Sequence, residues 1–312
     1  RKRVFEEFGS NEPPKEKVCI DYIYVDSSKS DLDDRSKWKV LGTSVHLGDA
    51  QNVNIHGING DVLGNLNQYP GLQSFLPNED VKKIQSKIGP LIKEGNGGQR
   101  RRLGRILFAN NMSSSDADKN FVPRLKQTVK RLSESSGYQL ITFHVCAGLA
   151  GGTGSGTVVD VVAQIRKHFP PSANVKHKIN LYLYLPEMNV VNASHDSQGF
   201  YQANGYAALS EINAISVNKY QPLDISGEKD IYTGEVKRLF KNIDPFDAAF
   251  VYSNVNEANK VLEIGHDLPA AVADFIFQHS VASSLVGTNG QMSRVIGGEN
   301  DGAGPENDKS NQ

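Results

Sequence analysis

Cysteine is scarce in this chain: Cys19 and Cys146 are the only two among 312 residues, too few for a disulfide framework. Both lie in apolar β-like runs, where cysteine acts as a small hydrophobe, and the expected setting is reducing and cytoplasmic. Long apolar runs are missing as well. No stretch approaches the roughly 18 to 20 apolar residues that cross a bilayer, and the opening "RKRVFEEFGSNEPPKEK" lacks the apolar segment of a secretion signal, so no membrane partner is expected. An excess of one charge is also absent. The net charge is −1, and Lys and Arg are scattered apart from "QRRRLGR", which excludes the strongly basic footprint of a nucleic-acid binder. The eight histidines and two cysteines show neither C-x-x-C nor H-E-x-x-H, so no zinc site is expected, and His144, inside an apolar strand, reads as a satisfied core residue.

What remains, 38% hydrophobic and 22% charged residues, suffices for one large domain or one and a half. "RKRVFEEF" has the apolar spacing of a helix at Val4, Phe5 and Phe8, but no capping residue precedes it, and an earlier segment is expected to be missing. "VCIDYIYVD" and "WKVLGTSVHLG" read as strands, and "NEDVKKIQSKIGPLIKEG" as a helix that Pro90 kinks or ends. Helices "RRLGRILFANN" and "FVPRLKQTVKRLSESSG" lead to strand "YQLITFHVCAG". After a glycine-rich stretch, helix "TVVDVVAQIRKHF" is expected from Thr157, followed by strand "KINLYLYLPE", helix "GFYQANGYAALSEINAI", strand "DAAFVYSN" and helix "LPAAVADFIFQHSVASSL". This alternation predicts an α/β fold, a mostly parallel sheet with helices on both faces. Residues 1–286 form the expected domain, with a hairpin insert near 224–240, and 287–312 read as a flexible tail.

The stretch "CAGLAGGTGSGTVV" places bare backbone between a strand and a helix, which is where N–H groups and the positive end of a helix dipole gather an anion. Glycine lets backbone approach a phosphate closely or adopt positive φ. The stretch is neither G-x-x-x-x-G-K-[ST], since no lysine follows, nor the dinucleotide fingerprint G-x-G-x-x-G, so an NAD-dependent enzyme is not expected.

"AGGTGSG", Ala150 to Gly156, resembles the GGGTGSG signature of the tubulin and FtsZ superfamily, with Ala150 where the first glycine usually stands. Other landmarks follow in the family's order. "VDSS", Val25 to Ser28, is similar to the second nucleotide loop, with Asp26 and Ser27 near the phosphates. "EGNGGQRRRLGR", Glu94 to Arg105, is similar to the third, which brings Gly97, Gly98, Gln99 and Arg100 to the γ-phosphate. "LPEM" places Glu187 beside the ribose, Asn254 matches the asparagine ending the corresponding strand, and Asp274 falls where FtsZ has the aspartate that reads guanine. The third loop is most similar to that of bacterial tubulin-like proteins.

The resemblance implies a Rossmann-like GTPase domain that binds GTP or GDP with Mg²⁺ and assembles head to tail into filaments, hydrolysis being completed in trans. Ala150, Gly151, Gly152, Thr153, Gly154, Ser155 and Gly156 would hold phosphates, with the Thr153 and Ser155 hydroxyls donating directly. Asp26 would reach Mg²⁺ through water. A carboxylate at Asp274 would select the paired donors of guanine. The family's first strand and first glycine loop are expected before Arg1, and its catalytic loop in or beyond the tail, with Asn307 and Asp308 as candidates. Further protein partners are left open.

Each of these readings has a plainer alternative. Asp26 also reads as a strand-end turn former, "QRRRLGR" as a solvated helix face, and Asp274 as a solvent-facing acid. The whole chain also reads as a nucleotide-binding scaffold that hydrolyses slowly or not at all.

Overall fold

The computed structural model describes residues 1–14, 18–36, 38–56, 72, 76, 81–82, 98–113, 119–137, 140–172, 175, 177–187 and 199–282. Three strands, β5 (Thr142–Gly148), β6 (Lys178–Tyr184) and β7 (Ala248–Tyr252), form a parallel sheet in the order β5-β6-β7. His144 pairs with Asn180 across the first interface, and Leu181 with Ala249 across the second. The central strand carries the logic of the fold, because its side chains alternate between two covered faces. Ile179, Leu181 and Leu183 are buried in one core with Val158, Val159 and Val162 of α5 (Thr153–His168) and Ala208 and Ile212 of α6 (Tyr201–Ser216). Tyr182 points the other way and stacks on Phe250, ring centroids 5.3 Å apart, and both meet Phe275 of α7 (Asp267–Phe277), at 6.3 Å and 5.0 Å. Helices therefore lie on both faces, as the alternation in sequence predicts.

A second parallel pair joins β1 (Tyr24–Asp26) to β4 (Asn52–Asn54), with Val25 opposite Val53. Between them in sequence lie a short helix, α2 (Lys29–Asp33), and a small hairpin of β2 (Lys39–Val40) and β3 (Thr43–Ser44). The hairpin corrects the expectation of one strand through "WKVLGTSVHLG". Leu41 and Gly42 both have positive φ, 48° and 83°, so the chain reverses in two residues. "VCIDYIYVD" likewise gives a strand of only three residues, since β4 offers only three partners. Among the described residues no strand pairs with the second edge of β1 or of β5, and both strands line a cavity of about 2480 Å³.

The remaining helices are α1 (Lys2–Phe8), α3 (Arg101–Ser113) and α4 (Phe121–Ser136), the last closed by Gly137 at φ 72°. α3 packs on α5 through fully buried Leu103, Ile106 and Leu107, and the two are pinned midway by Arg105, which donates to both Asp160 carboxylate oxygens at 2.7 Å and 3.0 Å. Asp160 is 2% exposed, and burial pushes its carboxyl up against the pull of Arg105. The expected helix around Val81 to Ile92 falls largely outside the described residues.

Between α6 and β7 the chain folds back on itself, with antiparallel bridges from Leu223 to Arg238 and from Lys229 to Val236. Asp230 Oδ1 accepts the Tyr232 and Thr233 N–H groups at the turn, at 2.9 Å and 3.0 Å. α7 runs on into a π-helical turn over Gln278–Ala282, where Ser280 Oγ lies 3.1 Å from His144 Nε2. Tyr182 OH lies 2.9 Å from His144 Nδ1, and burial lowers the imidazole pKa to about 4, so His144 is a half-buried, neutral histidine with both ring nitrogens engaged at the cavity wall. No disulfide joins Cys19 and Cys146.

Candidate functional site

The glycine-rich stretch leaves β5 at Gly148 and enters α5 at Thr153, four residues earlier than its sequence suggests. Gly152 is the N-cap, at φ −78° and ψ −45°, and no side chain caps the helix there. A 16-residue helix thus begins with uncapped N–H groups and no acidic residue in its first turn, leaving an uncompensated positive end. The glycines serve close approach rather than positive φ. A Cβ on Gly154 would stand 2.5 Å from the Gly148 carbonyl oxygen, and one on Gly156 2.4 Å from that of Arg101. Gly104 of α3 is pressed in the same way against the Gly152 carbonyl, at 2.2 Å. Gly151 differs: nothing stands within 4 Å of where its Cβ would be.

Two further loops converge here. Ser27, 2% exposed, closes on α5 with its Oγ 2.8 Å from Thr153 Oγ1. Asp26 accepts the Ser28 N–H at 3.0 Å and the Tyr24 hydroxyl at 3.2 Å, and burial raises its carboxyl above the ordinary range despite those bonds. Gly98, at φ 50°, accepts the Gly152 N–H at 3.0 Å. Asp26, Ser27, Gly98, Gly151, Thr153 and Gly154 all line the cavity. Three loops more than 120 residues apart at their extremes, each singled out in the sequence, share one wall.

Other candidates are used differently. Ser155 is 1% exposed, and its hydroxyl faces inward, accepting from Arg101 Nε at 2.8 Å and donating to the Asn204 carbonyl at 3.0 Å. It is therefore unavailable as a direct phosphate donor. The Gly152 N–H is committed to Gly98, the Ala150 and Gln99 carbonyls accept hydrogen bonds, and the Arg100 guanidinium lies 5.8 Å from the Phe200 ring centroid. Asn254 is 5% exposed, and its carbonyl accepts the Leu262 N–H at 2.6 Å. Asp274 is placed on the outer side of α7. Its side chain is 58% exposed, is ion-paired to Arg3 at 2.7 Å and does not line the cavity. An aspartate on an otherwise apolar helix is explained by this cation on α1. Glu187 keeps one carboxylate oxygen, Oε2, buried with no hydrogen-bond partner among the described residues. Gly97, Asn307 and Asp308 lie outside the described residues.

Three residues at the site were not singled out in the sequence: Arg101, Asn204 and Glu211. Arg101 joins the start of α3 to Ser155 and, through a two-pronged ion pair at 2.6 Å and 3.1 Å, to Glu211 of α6. Asn204 Nδ2 donates to both the Gln99 and Ala150 carbonyls at 2.8 Å. The available signal was "NG" in the second turn of a 16-residue helix, where neither residue favours helix and a local reason is needed.

Among the described residues no three His, Cys, Asp or Glu side chains cluster to hold a metal, and Asp26 shares the cavity with other carboxylates, Asp31 among them. No described helix is long and apolar enough to cross a membrane. Open N–H groups at a helix start suit a polyanionic ligand, and the orphaned carboxylate oxygen of Glu187 lies outside the cavity lining. No curated protein matches the chain. A family model described as tubulin like matches residues 1–308, and with nearly the whole chain covered, the chain belongs to the tubulin-like family.

Proposed function

We propose that this chain is a GTPase that binds GTP or GDP with Mg²⁺ and assembles head to tail into filaments. The observation that carries the reading is the uncapped start of α5 at the rim of the cavity, facing Asp26 and Gly98. A nucleoside triphosphate brings about four negative charges, and backbone donors plus a helix terminus are suited to hold them. Gly151, Thr153 and Gly154 are the donors assigned here. Thr153, whose hydroxyl is bonded to Ser27, would supply a hydroxyl, and Asp26 would hold Mg²⁺ through its waters; the metal would supply charge neutralisation at the phosphates. The raised carboxyl of Asp26 gives up its proton when a cation binds, so metal-dependent affinity should weaken as the pH falls. Glu187, which does not line the cavity, is assigned to the ribose hydroxyls on the family pattern alone. The guanine preference rests on the family pattern alone, because Asp274 is spent on Arg3.

Hydrolysis in trans follows from the same pattern, with Asn307 and Asp308 as candidates offered to the neighbouring subunit's nucleotide. A head-to-tail contact of this kind is heterologous and does not close, so it builds filaments. The test is to denature purified full-length protein, identify the released nucleotide by ion-exchange chromatography, and measure GTP turnover per molecule against protein concentration. GTP or GDP in near-equal amount, lost in Gly152→Trp, with turnover rising with concentration, is the expected result. Binding with no dependence of turnover on concentration would leave the scaffold reading. A protein that is empty and refuses added GTP overturns the proposal.

A further inference from the structure

Asn204 sits on the second turn of α6, 7% exposed, and reaches across to two loops that are not neighbours in sequence. Its amide nitrogen donates one hydrogen to the Gln99 carbonyl and the other to the Ala150 carbonyl, both at 2.8 Å. Because both partners are carbonyls, only the nitrogen satisfies them, and the orientation of the amide is fixed by its surroundings.

The consequence lies in the peptide planes. In a trans peptide the carbonyl of one residue and the N–H of the next point in opposite directions, and none of the described peptide bonds is cis. Holding the Ala150 carbonyl toward α6 therefore turns the Gly151 N–H away from α6. Holding the Gln99 carbonyl does the same for the Arg100 N–H. Gly151 lines the cavity, and no acceptor among the described residues takes its N–H.

Asn204 is itself held firmly. Its carbonyl accepts the Ser155 hydroxyl at 3.0 Å, and Ser155 is in turn gripped by Arg101, which Glu211 anchors. The next residue, Gly205, lies so close to Pro186 that a Cβ would meet the ring at 2.4 Å, so the turn carrying Asn204 has no room to shift outward.

We infer that Asn204 is a positioning residue for the phosphate site: without touching the ligand, it sets the peptide unit after Ala150 so that the Gly151 N–H faces the phosphates, and it ties the third loop to the glycine loop through the Gln99 carbonyl. This rests on the nucleotide reading above. It assigns to α6 the task of locking the third loop and the glycine loop into one donor surface, aided by the Gly152 N–H to Gly98 carbonyl bond at 3.0 Å.

The test uses full-length protein and the affinity for Mg²⁺ with a slowly hydrolysed GTP analogue, measured by calorimetry at pH 8 and pH ~5.5. Asn204→Asp keeps the shape but places a carboxylate oxygen against both carbonyls. We expect affinity about 100-fold below wild type at pH 8, corresponding to two lost hydrogen bonds. At the lower pH a protonated carboxyl regains one donor, and the deficit relative to wild type should shrink to about tenfold. A role confined to helix packing would not return affinity in this way. Asn204→Ala, which carries no charge, keeps the test alive if the aspartate variant does not fold, with at least a tenfold loss expected. A folded variant binding within threefold of wild type at pH 8 overturns the inference and leaves the nucleotide reading standing. Wild-type protein that binds no analogue overturns that reading and this inference together.

Discussion

At its C-terminal end α5 carries Arg166, Lys167 and His168, the charge that suits the negative end of a helix dipole, and the first two are tied down. Arg166, 3% exposed, donates to Asp247 at 2.8 Å, to the His177 carbonyl at 2.6 Å and to the carbonyls of Asp244 and Pro245 at 3.1 Å. Lys167 bonds Asp224 and Glu228, each at 2.6 Å, and hydrogen bonds from Lys167 and Lys237 hold the Glu228 carboxyl down to about 2. The N-terminal end of the same helix has no side-chain cap and no acid in its first turn, and Gly151 just before it opens on the cavity. One end spends its polar groups on the fold, while the other keeps donors unspent. Other helices here, α4 and α6 among them, also start without a side-chain cap or an acid in the first turn; what sets α5 apart is that its first residues, Gly152, Thr153 and Gly154, line the cavity.

That contrast can be tested by cutting at each end in turn. Arg166→Met at the C-terminal end removes the cation over Asp247 and leaves three carbonyls without their donor. A loss of about 3–5 kcal/mol in unfolding free energy is expected by urea titration, with nucleotide affinity of the folded fraction unchanged. At the N-terminal end Gly154→Ala forces a methyl against the Gly148 carbonyl. The overpacking costs about 1–3 kcal/mol against the roughly 1 kcal/mol that alanine gains over glycine in an open helix, and affinity should fall with stability. The smallest stability effect belongs to Gly151→Ala, whose methyl enters open space. Its unfolding free energy should stay within about 0.5 kcal/mol of wild type, while affinity for Mg²⁺ and GTP drops at least tenfold, because the methyl stands where phosphate is held. Should Gly151→Ala bind as wild type does, the two ends of α5 differ in packing alone.

The strand and helix order was legible because β6 and its neighbours are apolar runs bounded by turn formers, and because the helices between them keep their spacing. The start of α5 was misplaced because Gly154 and Gly156, poor helix formers, occupy its first turn for the sake of contacts with Gly148 and Arg101 that only the fold provides. The hairpin at Leu41 and Gly42 was read as continuous strand, since a positive φ at leucine has no sequence signal. The three loops at the site were individually legible, yet what their side chains do was not. Arg101 and Arg105, part of a cluster that also read as a solvated face, find Ser155, Glu211 and Asp160 at sequence distances of 54, 110 and 55 residues. The partner of Asp274 was illegible for the same reason, Arg3 being 271 residues away.

Whether the open N–H groups at the start of α5 hold phosphate can be seen by amide NMR of the isotopically labelled protein titrated with Mg²⁺ and GTP. The Gly151, Thr153 and Gly154 amide resonances should move strongly, while Gly156, whose N–H already serves the Gly152 carbonyl at 3.1 Å, and Gly137 at the far end of α4 stay in place. Saturable nucleotide binding that leaves Gly151 and Gly154 unmoved would contradict phosphate binding there.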